Sequence, residues 1–422
     1  MFAGVPVALI LAFGLVWHIR PATHAFRDLT QDWLSARCYF NGQSIYTRHH
    51  ESVPAYLGDR GAAETWPVEI NAHPPVLVLL LLPLGLLPHD LAVLLWNLLS
   101  LVMIGAAMWI VFGPRGLNCE WRYFLASCCI VAGSTPLAAQ GATAQLNGLL
   151  LLLIALAWSS ARRDRQVAAG IWLGLAVASK LFPAFLLVYF LATRRWRAVI
   201  ATLTTIVLLH VAALLVLGSG DLWNYFVHVV PQVRNWQSAW LNCSIAGFWS
   251  RLFDVTDVGT RPWFHAPLLS RLLIRASCGA LTAAVAWHAW RARSVRQHDL
   301  AFAAVVIAML LASPLTWDHS LLLLILPIAI LWYYLATTAE SQLLLTVVLI
   351  APAYVPAYHL WRLLLGPASL PVMNRLAGPW QSVTVLALVT YCLICLLALA
   401  MYSPVTGDVP AKLASQEPDL IK

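Results

Sequence analysis

Two aspartates stand four residues apart in the stretch FRDLTQDWLSARCYFNGQSIYT, just where an apolar first segment gives way to polar chain. In a helix, residues i and i+4 share a face, so Asp28 and Asp32 would present two carboxylates together. Catalysis is one use of such a pair; pairing with Arg27 and Arg37, or capping a helix start, is another, and the residues alone leave both open. Further along come His73 before Pro74 and Pro75, then Gln140, Gln145 and Asn147, then Lys180, then Asn242 with Ser244 and Arg251, and finally SPLTWDH, which contains Trp317 and His319. Each also has a bland reading. Gln145 and Asn147 fit interhelical hydrogen bonding, and His319 could start a helix beside Trp317 as an interfacial aromatic. The adjacent His49 and His50 read as a solvated surface. No compact set of Asp, Glu and His has the spacing of a hard-cation site, and Cys392 and Cys395 lack flanking polar ligands, so neither a metal nor a cofactor is expected. A disulfide between Cys38 and Cys243 is conceivable, since both fall on the same side of the membrane in the topology below.

The elements that must position these residues follow from composition. At 61% hydrophobic and 10% charged, the 422 residues exclude an ordinary soluble domain and read as an all-α integral membrane protein. Segments 4–17, 91–112, 199–217, 321–336, 343–360 and 383–401 approach the roughly 20 apolar residues that cross a bilayer as a helix. They lack the period-two alternation of a barrel. The first segment has no basic leader and reads as a retained anchor. The net charge of +8 calls for no nucleic acid, because the arginines fall in four tight clusters: 115 and 122; 162, 163 and 165; 194, 195 and 197; 291, 293 and 296. Positive-inside bias puts these clusters in the cytoplasm.

Parity then assigns hairpins to 123–138 with 147–161 and to 167–179 with 181–193. About twelve crossings result, with two large outer loops at 18–74 and 218–270 and smaller outer turns at 139–146, 313–318 and 361–380. Both termini become cytoplasmic. Residues 1–402 form one transmembrane domain and 403–422 a polar, disordered tail. HPPVLVLLLLPLGLLPHD is apolar but short and proline-rich, so 76–87 reads as a re-entrant or interfacial helix. Lys180 sits at a turn between two short arms and falls below the outer surface. A basic side chain at that depth costs roughly 2.5–3.5 kcal/mol and should face protein, water or an anion.

Sorted by side, nearly all the chemistry-bearing residues lie at the outer face, which implies one outward-facing cavity. A transporter or flippase of a lipid-linked or sugar substrate would also use intramembrane charges and broken helices. The two large outer loops and the absence of an evident internal repeat count against it.

The order of the pieces resembles glycosyltransferase family 87. The family's first outer loop carries an Asp, small residues, a Gly and a Tyr, matched by Asp28, Ser35 and Ala36, Gly42 and Tyr46. In register follow HPPVLVLLLLPLGLLP, AQLNGLLLLL from Ala144, SKLFPAFLL from Ser179, NCSIAGFWSRLF from Asn242 and SPLTWDH, together covering roughly residues 20–335. Ala144 stands where a Gly is common, and His73 where a Tyr is expected. The resemblance implies a GT-C fold that moves a sugar, mannose-type by precedent, from a polyprenyl-phosphate carrier to a lipid or glycan acceptor. The reaction would take place at the outer face of a bacterial plasma membrane, with inversion. It also implies Asp28 as general base with Asp32 beside it, the two exchangeable in role. Lys180, Arg251 and His319 would hold the donor phosphate, and His73, Gln145, Asn147, Asn242 and Trp317 the substrates.

Overall fold

A computed structural model describes residues 28–58, 69–239, 242–254 and 264–335, with a few isolated residues besides. The expected helices 4–17, 343–360 and 383–401 and the tail lie outside these residues. The described chain is helical throughout its regular elements. Five helices are long and apolar enough to cross a membrane: His89–Phe112, Trp196–Leu217, Pro267–Arg291, Val295–Ala312 and Asp318–Leu335. A sixth candidate is broken. Trp121–Ala132 and Thr135–Thr143 meet at 57°, where a single straight run over 123–138 was expected. The cause is local: Gly133 ends the first helix, and Ser134 caps the second by accepting from Leu137 N, with Pro136 in its first turn.

The shorter apolar helices Asn147–Arg162, Gln166–Ser179 and Phe182–Ala192 fall on three of the four arms expected for the two hairpins. The last begins as a 3-10 turn containing Pro183. The proline-rich stretch after His73 forms the helix Pro75–Leu81, continued by a 3-10 turn Leu82–Leu86 that carries Pro83. Pro75 occupies the first helical position, where its missing N–H costs nothing. The expected outer loops contain structure of their own: Asp28–Phe40 and His49–Leu57 in the first, Ser219–Asn224 and Ile245–Phe253 in the second.

Packing sets the centre and the rim. The window of Val295–Ala312 is 78% buried and lies at the heart of the core, whereas that of Pro267–Arg291 is 11% buried and runs along the edge. Gln166–Ser179 packs tightly on Trp196–Leu217 because Gly170 and Gly174 lie one turn apart at the contact. A Cβ there would come within 2.2 Å of Ala198 O or 2.6 Å of Thr205 Cβ. Thr202 Oγ1 donates to Gly170 O at 3.1 Å across the same contact.

The arginine turns gather at one end of the bundle. Arg195 Nη1 donates to Ala161 O, Arg162 Nη1 to Gly116 O, and Arg162 Nε lies 3.2 Å from buried Asp299. Trp158 Nε1 and Tyr334 OH also donate to Asp299, at 2.9 and 2.7 Å, so this carboxylate ties three helices together. Asn147 and Lys180 stand at the opposite ends of their helices. Cys38 and Cys243 are both buried and are not joined to each other, so the conceivable disulfide is absent.

Candidate active site

Asp28 opens the helix Asp28–Phe40 and Asp32 follows one turn later. Asp32 is fully buried, and its two carboxylate oxygens lie 2.9 and 3.1 Å from His73 Nδ1. Asn71 Nδ2 donates to Asp32 Oδ1 at 3.1 Å and to Ser35 Oγ at 2.9 Å. The carboxylate therefore holds the His73 proton on Nδ1 and turns Nε2 away from itself. The backbone around His73 is pinned as well: its N–H donates to Asn71 Oδ1 at 2.9 Å, and its carbonyl accepts from Tyr46 OH at 2.8 Å.

Gln31 sits between the two aspartates and works in both directions. Its Nε2 donates to Asp28 Oδ1 at 3.1 Å, while its Oε1 accepts from Ala72 N at 3.1 Å. Asp28 keeps part of its surface accessible although protein crowds it. Burial pushes its carboxyl above the usual carboxylate range. His73 and then Lys180 offset part of that rise, the Asp32 charge adds to it, and the Gln31 amide lowers it slightly.

Lys180 follows Ser179 in an extended conformation that ends the helix, with its ammonium 5.9 Å from the Phe182 ring centroid. It lies within electrostatic reach of Asp28 and Asp32. His319 is in turn within reach of Lys180 and His73. Its Nδ1 lies 2.9 Å from Asn147 Nδ2, which also donates to Gln140 Oε1 at 3.1 Å. Asp28, Asp32, His73, Lys180 and His319, drawn from four distant segments, thus form one cluster with Asn147 at its edge. Gln145 contributes mainly through its backbone: its carbonyl accepts from Gln140 Nε2 and, at 3.1 Å, from Trp96 Nε1.

Asn242 and Arg251 are placed differently. Both ends of the Asn242 amide are engaged: Nδ2 donates to Gln237 O at 2.8 Å and Pro314 O at 2.9 Å, and Oδ1 accepts from Ser244 N at 3.1 Å and Thr316 N at 2.9 Å. It clamps the 237–244 segment to the one that leads into His319. Arg251 is fully buried, and its Nη1 donates to Ala239 O at 3.1 Å and Asn242 O at 2.8 Å. Its Nε and Nη2 take no partner among the described residues. The structure does not bring its guanidinium into the carboxylate–histidine cluster. Trp317 is half-buried and precedes the 3-10 turn that carries His319. Sequence reasoning passed over Gln31 and Asn71, and named Gln140 without a specific role; these are the amides that orient the cluster. Their signal was faint, polar side chains beside chemistry-bearing ones. No group of three His, Cys, Asp or Glu able to hold a metal occurs among the described residues.

A multi-helix apolar bundle that gathers two carboxylates, two imidazoles and an ammonium at one end of its described residues is the architecture of a membrane protein with a buried polar cluster. Residues 71–314 match the family model described as Glycosyltransferase family 87, and with more than half of its 422 residues matched the chain belongs to that family. His73, Asn147, Lys180 and Arg251 fall inside the match; Asp28 and Asp32 lie well before it, and His319 shortly after it. The chain is 28% identical, over 73% of its length and 71% of the relative's, to a polyprenol-phosphate-mannose-dependent alpha-(1-2)-phosphatidylinositol mannoside mannosyltransferase of Mycobacterium tuberculosis. It is 29% identical to a polyprenol-phosphate-mannose-dependent alpha-(1-2)-phosphatidylinositol pentamannoside mannosyltransferase of the same species, over 58% of this chain and 54% of that one. A counterpart of the first from Mycolicibacterium smegmatis is 31% identical over 36% of this chain and 33% of its own length.

Proposed function

We propose that the protein transfers mannose from a polyprenyl-phosphate carrier to a hydroxyl of a lipid-borne acceptor, at the outer face of a bacterial plasma membrane. The convergence of Asp28, Asp32, His73, Lys180 and His319 at the end of the bundle away from the arginine turns carries the reading. The names of the curated relatives, polyprenol-phosphate-mannose-dependent and acting on phosphatidylinositol mannosides, support this donor and acceptor class. About twelve crossings, with the arginine turns in the cytoplasm, would set this end where a lipid-linked sugar meets the aqueous outer side.

In the step itself, the acceptor oxygen bonds to the anomeric carbon as the bond from that carbon to the phosphate oxygen breaks. The acceptor's proton passes to Asp28, whose raised carboxyl makes it a stronger base than a solvated aspartate. The phosphate departs with the electron pair, and Lys180 and the His319 ring offset its charge in a site of low dielectric. Because phosphate leaves readily, a single displacement suffices. It inverts the anomeric centre, so a β-linked donor gives the α-linked product. The Asp32–His73 pair holds a fixed ring edge toward the substrates. Arg251 supports the site from beneath, through the backbone that Asn242 clamps.

Purified protein in vesicles, given radiolabelled polyprenyl-phosphate mannose and a lipid extract, should produce a labelled lipid whose mannose is released by α-mannosidase. Label left entirely on the donor, across extracts that contain phosphatidylinositol mannosides and other lipids, would count against the reading.

A further inference from the structure

A carbonyl oxygen can only accept hydrogen bonds, and one such oxygen sets the polarity of a chain of side chains that ends on His319. The backbone oxygen of Gln145 accepts from Gln140, so the Gln140 amide must meet it through Nε2. Gln140 then turns Oε1 the other way, toward Asn147, whose Nδ2 lies 3.1 Å from it. That same Nδ2 reaches His319 Nδ1 at 2.9 Å. Turning the Asn147 amide over would set two acceptor oxygens against each other, so the His319 nitrogen facing Asn147 is the one without a proton. Ser320 Oγ, 3.5 Å from the same nitrogen, can donate to it as well.

We infer that Gln140 and Asn147 are positioning residues that hold His319 as its Nε2–H tautomer, so that the ring presents a fixed hydrogen-bond donor to the phosphate of the lipid-linked sugar. Burial makes the arrangement durable: Gln140 and Asn147 are both 0% exposed and His319 is 5% exposed, so water does not compete for these atoms. A second observation points the same way. Asn147 Oδ1 is buried with no partner among the described residues, a penalty that an apolar residue filling the same space would avoid. What this position retains is the NH₂ group, and that group faces Gln140 and His319. His73 is set the opposite way, its Nδ1 protonated against Asp32, so a neutral ring there offers a lone pair at Nε2. One imidazole of the site is built to donate and the other to accept. A donor at His319 suits an anionic oxygen on which charge grows as the bond breaks.

The inference rests on the proposed role of His319 at the donor phosphate, and one experiment separates the two. The full chain, labelled with ¹⁵N-histidine in lipid bilayers, is compared by solid-state NMR with the His319→Gln variant, so that the His319 signals stand out from those of the other histidines among 13. Wild type should show a protonated Nε2 and a bare Nδ1. Asn147→Asp keeps the shape but offers Nδ1 only acceptors. It should move the proton to Nδ1 and lower kcat for mannose transfer roughly 10²-fold, the loss that follows removal of one such donor. Asn147→Leu, which adds no charge, should give mixed tautomers and an intermediate rate. Should Asn147→Asp fail to fold, Gln140→Met frees the Asn147 amide to turn and should likewise mix the tautomers. A protonated Nδ1 in wild type overturns the inference. A shifted proton with undiminished transfer upholds the tautomer control and overturns the phosphate role of His319.

Discussion

Replacing Asp28 by asparagine removes a base while disturbing little else. The side chain is half-buried rather than sealed, and the side-chain hydrogen bond it makes among the described residues, from Gln31 Nε2 at 3.1 Å, is accepted by Oδ1, an oxygen that asparagine retains. No buried cation is stranded, because Lys180 keeps Asp32 within reach. The loss should therefore fall on kcat. General base catalysis contributes about 10²–10⁴-fold, or ~2.7–5.4 kcal/mol at ~1.36 kcal/mol per tenfold. Donor KM should hold or fall, since one negative charge no longer repels the phosphate. Asp32→Asn should look different. Asp32 is fully buried against His73 and Asn71, and weakening its charge-assisted hydrogen bonds costs about 1.5–3 kcal/mol, so a lowered Tm and a raised KM should accompany any loss of rate.

The pH profile gives an independent reading of the same group. A base works deprotonated, and the Asp28 carboxyl is raised, so wild-type kcat should fall as pH drops through a midpoint above the ordinary carboxylate value of about 4. That acid limb should vanish in Asp28→Asn. Single-turnover transfer in vesicles, with Tm measured on the same preparations, checks all of this. Near-normal transfer by Asp28→Asn beside an inactive but folded Asp32→Asn would exchange the two roles. Activity in both would place the base elsewhere.

Gly247→Ala should lower Tm by the equivalent of about 1–3 kcal/mol. Its Cβ would come within 2.6 Å of Asn242 O and 2.9 Å of Arg251 Nη1, and transfer should weaken with the clamp; unchanged Tm and rate would show the clamp to be dispensable. Gly42→Ala meets empty space but adopts φ +70, so it should cost about 1 kcal/mol through the backbone alone and leave transfer intact. Single cysteines at Ser44 and Ser219, in an otherwise cysteine-free chain, should react with an impermeant maleimide on intact cells, whereas those at Arg163 and Arg293 should react only after lysis; the reverse pattern would turn the protein over in the membrane. Transfer should continue in excess EDTA, with phosphate charge met by Lys180 and His319, and loss of activity restored by Mg²⁺ or Mn²⁺ would contradict that.

What could be read from the sequence, and what could not, divides on distance along the chain. The spacing of Asp28 and Asp32 placed both on one helix, but nothing in it told that Asp32 takes His73, 41 positions away, as its partner. Arg251 is assigned to the phosphate with the family resemblance, because a leaving phosphate needs positive charge nearby. The backbone carbonyls of Ala239 and Asn242 that claim it have no signature in residue types. The glycine pattern was legible for a physical reason. Gly42 and Ala144, the two positions marked by the family resemblance as glycine sites, have φ of +70 and +51, the left-handed region where a side chain costs energy.

Helix ends explain why the site as a whole showed through. Asp28 opens a helix, His73 precedes one that begins at Pro75, Asn147 starts another, Lys180 closes one, and His319 opens a 3-10 turn. Each helix end leaves backbone N–H or C=O groups unpaired, and an apolar surround makes those groups expensive unless polar atoms gather near them. Breaks in the apolar pattern are therefore where a membrane protein can place charge at least cost. A sequence shows such breaks plainly, through its prolines, amides and stray charges. Five breaks from separate segments meet at one end of this bundle, so the same positions that interrupt its helices assemble its chemistry.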